Sequence, residues 1–167
     1  MAERRAFWSV LAVTAELLSA TPGQAARPRC EHVTEATNGR FVILGSEVYD
    51  IKTNLTWERC SVGQSWNGRT GCIGAVKQFP WDEAMSQAKG AWRVPTADEL
   101  TTLVSVNCAR PWINEEAFPD MDFSKLWYWT GTEKGAFGAM SVHFGGHGTE
   151  FNYREGKFAV RLVRSGH

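Results

Sequence analysis

Four cysteines, Cys30, Cys60, Cys72 and Cys108, all lie downstream of an N-terminal segment built like an export signal. That combination constrains the chain more than any other feature. Arg4 and Arg5 form a basic start, and Ala6 to Ala15 is an apolar run too short to span a bilayer as a stable helix. Small residues then lead to Gly23-Gln24-Ala25, so residues 1–25 read as a signal peptide cleaved after Ala25. Arg4-Arg5 with Phe7 also has the outline of a twin-arginine signal, although a plain basic n-region accounts for it. The mature chain is therefore expected to be periplasmic or secreted, where thiols oxidise. An even cysteine count there implies disulfides, and four cysteines allow three pairings. Cys60 and Cys72 bracket the polar, Gly-rich stretch SVGQSWNGRTG, which closes on itself easily. Cys60–Cys72 is the expected pair, leaving Cys30–Cys108. A loop this short contributes about 2–3 kcal/mol through the unfolded state. A zinc site is the competing reading, but it lacks paired CxxC spacing.

The 167 residues suit one domain, and an apolar fraction of 43% is enough for a real core. Basic and acidic residues balance at 18 each, so no basic stripe points to nucleic acid. No segment after the leader is apolar enough to span a membrane. Eight tryptophans are many for this length. They read either as large rings filling a small core or as binding-face aromatics.

Residues 26–40 are a polar lead-in, and the domain proper is expected over 41–167. Phe41 to Leu44, Glu47 to Ile51 and Leu55 to Cys60 read as three short strands, with a turn at Asn54. Trp81, Ala84, Met85 and Ala88 form one apolar stripe at helical spacing, opened by acids and stopped by Gly90. Thr96-Ala97-Asp98-Glu99 after Pro95 is a capping box that starts a second helix, with Leu100, Leu103 and Val104 on its apolar face. A loop-rich stretch over 109–126, with one short helical turn expected at Ile113 to Ala117, precedes four late strands at 127–130, 139–144, 149–153 and 158–164. Strands, two helices, loops and strands make an α+β arrangement, with helices set against a mostly antiparallel sheet.

The order of motifs resembles the Lcl C-terminal domain family, named for a bacterial collagen-like adhesin. Asp50-Ile51-Lys52-Thr53-Asn54-Leu55-Thr56-Trp57 matches its opening block, Arg59-Cys60 continues it, and Cys72-Ile73-Gly74 matches its second cysteine block. Trp81 with Ala84 falls on its first helix. Trp92-Arg93-Val94-Pro95-Thr96 with Glu99-Leu100 is the most specific stretch, with Val94 where the family more often has Leu. Phe118-Pro119, Tyr128-Trp129-Thr130, Val142-His143-Phe144 and Val160 to Arg164 complete the series over about residues 41–164. The resemblance implies a C-type-lectin-like fold of the variant used by formylglycine-generating enzymes. It also implies binding of sulfated polysaccharide or a host surface.

No GxSxG, HExxH or phosphate-binding loop occurs. Trp57, Trp92, Arg93, Thr96 and Glu99 read as a structural hub, with Arg93 paired to Glu58 or Glu99 and with Arg161 and Arg164 in a similar role. His143, His147 and Glu150 carry the donor set for a zinc-like ion, although a strand His followed by a Gly-rich turn His gives the same pattern. Trp112 to Glu116 offers calcium-type oxygens without a sugar-selecting tripeptide. No cofactor is expected. Trp66 and Arg69 in the disulfide loop, and His147, Tyr153 and Arg154 near late turns, are the candidate ligand contacts. The reading is a non-enzymatic binding module for a polysaccharide or an envelope or surface protein. The alternatives are a structural envelope component and an enzyme of formylglycine-generating type. The enzyme needs a reactive cysteine pair late in the domain, and no cysteine follows Cys108. N-terminal sequencing of the protein from an envelope fraction should find a mature start near Ala26 or Arg27; an intact Met1 chain in the cytoplasm would overturn the export reading.

Overall fold

A computed structural model describes residues 39–69, 71–104, 113–120, 126–146 and 148–167. The signal segment, most of the lead-in, Cys30 and Cys108 lie outside them. The domain opens with an antiparallel meander of β1 (Phe41–Leu44), β2 (Glu47–Asp50) and β3 (Leu55–Glu58). Asn54 turns β2 into β3 at φ 55°, a left-handed geometry that asparagine tolerates better than most residues. Arg40 anchors the entry to β1. Its guanidinium donates to both Asp50 carboxylate oxygens at 2.8 and 2.6 Å and to the Thr102 carbonyl at 3.0 Å. Burial pushes the Asp50 carboxyl up, but hydrogen bonds from Arg40 and Thr53, the Arg40 charge and the Lys52 N–H outweigh it and hold it below its usual range.

The chain next forms the hairpin β4 (Gln64–Trp66) and β5 (Cys72–Gly74), with Trp66 opposite Cys72. The expected Cys60–Cys72 disulfide closes it, at a Cα–Cα distance of 5.6 Å. Gly63 enters this hairpin at φ 98°, where a Cβ would lie 2.6 Å from the Ala75 carbonyl oxygen, so no larger residue fits. After the short β6 (Gln78–Phe79), α1 spans Trp81–Met85. It is shorter than its apolar stripe predicts. Ser86 Oγ and Gln87 Nε2 both donate to the Glu83 carbonyl, and serine competing for backbone in this way favours ending the helix. The chain instead makes a tight turn, bridging Lys89 to Trp92 around Gly90.

The second helix, α2 (Ala97–Thr101), starts as its capping box predicts. Glu99 N–H donates to Thr96 Oγ1 at 3.2 Å, and Thr96 N–H donates to Glu99 Oε2 at 2.8 Å. Arg93 grips the same carboxylate through two bonds of 2.7 and 2.6 Å, which selects Glu99 over Glu58 as its partner. Hydrogen bonds from Arg93 hold the Glu99 carboxyl below its usual range against the opposing effect of burial. Ile113 to Ala117 is a turn rather than helix, closed by the Ala117 N–H on Asn114 Oδ1 at 2.8 Å.

The late strands are β7 (Trp127–Glu133), β8 (Gly138–His143), β9 (Gly148–Tyr153), β10 (Phe158–Ala159) and β11 (Val163–Ser165). They do not form one sheet with the first three, as the sequence reading expects. Three sheets result, in the orders β1-β2-β3-β11, β6-β10-β7-β8-β9 and β4-β5. All the strand pairs are antiparallel except β10 with β7. The last stretch divides because β10 ends at Ala159, Val160 to Leu162 carry the chain across, and β11 then pairs with β3. Alternation along the strands feeds two apolar cores. Tyr128, Val142 and Ala159 join Trp57, Leu100, Phe118 and Val163, whereas Trp129, Ala139 and Val160 join Trp81, Ala84 and Val94. Trp57, Trp81 and Trp129 are buried, so these rings are core. Trp81 and Trp129 satisfy their indole N–H groups on the Thr130 and Phe79 carbonyls, both at 2.8 Å.

Arg161, on the crossing segment, sits between the two sheets with no exposure, as does the Asp120 carboxylate that pairs with it. The guanidinium also donates to the Glu58 carbonyl at 2.6 Å and to Ser61 Oγ at 3.1 Å. The second Asp120 oxygen accepts the Ser61 N–H at 2.7 Å. Asp120→Asn leaves the guanidinium charge without its counter-ion, and a broken buried pair typically costs about 3–5 kcal/mol. A loss of that size is expected in chemical denaturation, and an unchanged midpoint would show that the pair is not structural.

Candidate functional site

A cavity of about 280 Å³ opens beside the disulfide hairpin, lined by Ser46, Glu47, Glu58, Cys60, Gln64, Ser65, Trp66 and Trp92. Each wall follows from a local feature. Val48 faces Trp57 across β2 and β3 on the core side, so Glu47 and Glu58, opposite each other in the same register, occupy the outer side. The disulfide ties β5 to the end of β3 and brings Gln64, Ser65 and Trp66 over that outer face. Trp92 reaches the other flank because Arg93 adds to β11, exchanging backbone bonds of 2.9 Å each way with Val163.

Two arginines stiffen the aromatic walls. The Arg59 guanidinium lies 3.8 Å from the Trp66 ring centroid, held by the Ala117, Gly45 and Glu116 carbonyls. Arg164 lies 5.4 Å from the Trp92 ring and donates to Glu47 Oε2 at 2.9 Å. Each ring therefore has a cation on one side.

The two carboxylates differ. Glu47 has its counter-ion in Arg164, whereas the Glu58 side chain accepts no hydrogen bond from any described residue. Burial pushes the Glu58 carboxyl up, the Arg161 charge opposes this, and the facing Glu47 adds to it, so the net direction is upward. Gln64 donates through Nε2 to the Gly74 carbonyl at 3.3 Å, and its Oε1 is enclosed with no partner. The cavity wall thus carries one carboxylate, that of Glu58, with no hydrogen-bond partner among the described residues.

The structure distributes the residues singled out in the sequence. Trp66 lines the cavity, but it is a half-buried strand residue rather than an exposed loop ring. Trp92 is also half-buried and serves both the hub and the cavity. Arg69 is exposed at the tip of the same hairpin, where its N–H donates to Asn67 Oδ1 at 2.9 Å. Tyr153 and Arg154 stand apart, at the end of β9. Tyr153 is 66% exposed, and Arg154 is held over Trp81 by Glu133 at 2.6 Å and Asp82 at 3.6 Å. His147 lies outside the described residues. His143 is buried against Trp127, and its Nδ1 accepts the Gly145 N–H at 3.0 Å. Glu150 is exposed on the edge strand β9. Among the described residues no three His, Cys, Asp or Glu groups gather as a metal site. Ser46, Glu47, Gln64 and Ser65 escaped the sequence reading, and Glu58 entered it only as a possible partner for Arg93. The alternation of β2 and β3 signals that both glutamates leave the core side, but their cross-strand meeting depends on register.

The described residues thus form an α+β domain, mostly sheet with two short helices, that carries a disulfide-pinned hairpin beside a cavity lined by two tryptophans and two glutamates. The model of the Lcl C-terminal domain family matches residues 46–164, and the chain belongs to that family. A search of curated proteins finds no match.

Because Glu58 ionises against burial and a like charge, its penalty is full above its raised folded value and fades as pH falls. Glu58→Gln should therefore melt at the same or a higher temperature than the parent at about pH 8, with any gain vanishing near about pH 4, where free glutamate protonates. A variant destabilised at pH 8 would show that the carboxylate supports the fold.

Proposed function

We propose that this domain is an exported, non-enzymatic binding module of C-type-lectin-like fold whose cavity accepts one unit of a saccharide. The observation that carries the reading is the pairing of two tryptophans, Trp66 and Trp92, with hydroxyl, amide and carboxylate groups around one cavity. Indole faces stack on the apolar side of a pyranose, while acceptors such as the Glu58 carboxylate take its hydroxyl protons. A volume near 280 Å³ is at the small end for a ligand site and suits a single ring rather than a long stretch of chain. The disulfide and the two stacked arginines arrange the walls before a ligand arrives, which lowers the ordering cost of binding.

Contact with an envelope or surface protein is the second reading. It is favoured by the exposed aromatics Phe137, Phe151 and Tyr153 at the edge of the five-stranded sheet. Localisation in the periplasm or outside the cell fits a domain pinned by a disulfide. Among the described residues no helix is long and apolar enough to cross a membrane.

A glycan array followed by titration tests the proposal. Trp66→Ala should weaken binding of the retained glycan tenfold or more, equivalent to about 1.4 kcal/mol. Circular dichroism should show the β-sheet content unchanged. Undiminished affinity in this variant would remove the cavity from the binding site.

A further inference from the structure

The charges around the cavity do not cancel. Glu47 and Glu58 both line it. Among the nearby cations, Arg164, Arg161 and Arg59 are each already engaged. Arg164 serves Glu47 and the Gly166 carbonyl. Arg161 serves Asp120, Ser61 and the Glu58 backbone carbonyl from its buried position. Arg59 serves three carbonyls behind the Trp66 ring. Glu58 is left as a half-buried carboxylate with no hydrogen-bonded counter-charge among the described residues, on a cavity that Gln64 also lines.

We propose that the saccharide unit accepted by this cavity carries a protonated amine, as in a de-N-acetylated hexosamine. The inference rests on the saccharide-binding reading above and names its ligand class. An ammonium supplies three donors, which the Glu58 carboxylate and the Ser46 and Ser65 hydroxyls on the same cavity can accept. A charge-assisted bond from it to Glu58 is shorter and roughly twice as strong as a neutral one. The Trp66 and Trp92 rings lining the same space add attraction for a cation held near their faces. A neutral sugar fits the same walls but leaves the Glu58 charge unanswered. A sulfated or uronic unit places its own negative charge against Glu58 and Glu47, and such like-charge contacts select against a partner. This runs opposite to the sulfated ligand that the family resemblance implies. A lysine side chain would satisfy Glu58 equally, but it has no flat apolar face to lay on two indoles. The whole chain has a formal net charge of zero, so bulk attraction does not by itself select a cationic ligand.

The test is calorimetric titration of the oxidised full-length protein at about pH 6, where carboxylates are ionised. The probes are hexamers of β-1,4-linked glucosamine, N-acetylglucosamine and glucose, a heparin-derived hexasaccharide and hexalysine. The glucosamine hexamer should bind at least tenfold tighter than the acetylated and glucose hexamers, with the heparin fragment and hexalysine weaker still. Glu58→Gln should abolish that advantage, bringing the glucosamine hexamer to the affinity of the neutral hexamers in the same variant, and Trp66→Ala should weaken all three sugars. Equal binding of the glucose and glucosamine hexamers, lost in Trp66→Ala, would overturn the amine preference and leave the cavity reading intact. Preference for the heparin fragment, hexalysine binding as tight as the glucosamine hexamer, or an amine preference that survives Glu58→Gln would each overturn the inference. No binding of any sugar would overturn both readings.

Discussion

The Arg161–Asp120 ion pair is the constraint on which the rest of the structure depends. Neither side chain touches solvent, and between them they bind the Glu58 carbonyl, the Ser61 N–H and the Ser61 hydroxyl. Those contacts join the end of β3, the loop that carries Phe118 and the segment linking β10 to β11. Two charges removed from water are tolerated only when their hydrogen-bonding capacity is largely used. Burial opposes the Arg161 charge, but Asp120 and the Tyr128 hydroxyl more than compensate, so the guanidinium stays firmly protonated. Tyr128 also shares the Ser61 hydroxyl at 3.0 Å and is pushed up in pKa by its own burial. A ring of polar groups is thereby enclosed within aromatic and aliphatic packing. It is satisfied apart from the Arg161 Nε, which has no partner.

Arginines recur as the fastening device of this domain. Arg40, Arg59, Arg154, Arg161 and Arg164 each place a guanidinium near an aromatic ring while donating to carboxylates or carbonyls. The planar group can stack and bond at once, which a lysine ammonium cannot. Among the described residues, with short strands and two five-residue helices, much of the tertiary order comes from such side-chain ties between loops and sheet ends. The edge of the five-stranded sheet follows another logic. Phe151 on β9 lies over Gly138, where an added Cβ would sit 2.0 Å from the ring and 2.9 Å from the Asn152 carbonyl oxygen, so a larger residue would have to displace both.

The cavity departs from this pattern of satisfaction. Every arginine near it is committed, yet Glu58 is not answered. Burial and the facing Glu47 oppose its charge, and the Arg161 charge offsets them only in part, so the carboxylate is held above its usual range.

The sequence by itself determined the pieces whose physics is local. The Cys60–Cys72 closure was legible because a twelve-residue separation filled with glycine and polar residues makes ring closure easy. The capping box at Thr96 and Glu99 and the Asn54 turn were legible because each is decided within four residues. The α+β class and the family followed from the ordered motifs. Helix α1 was overestimated because an apolar stripe does not reveal Ser86 and Gln87 competing for the Glu83 carbonyl. The division into three sheets was not legible, because pairing β11 with β3 brings together residues about a hundred positions apart. For the same reason the sequence placed Trp66 in an exposed loop and gave Glu47 and Gln64 no role. Only tertiary structure decided that β2 and β3 meet in the register that opposes Glu47 to Glu58, that Arg93 joins β11 and delivers Trp92, and that the disulfide-closed hairpin sets Trp66 on the cavity those residues line. Local chemistry specifies which elements form, whereas a site assembled from four separate segments exists only once long-range pairing has placed them side by side.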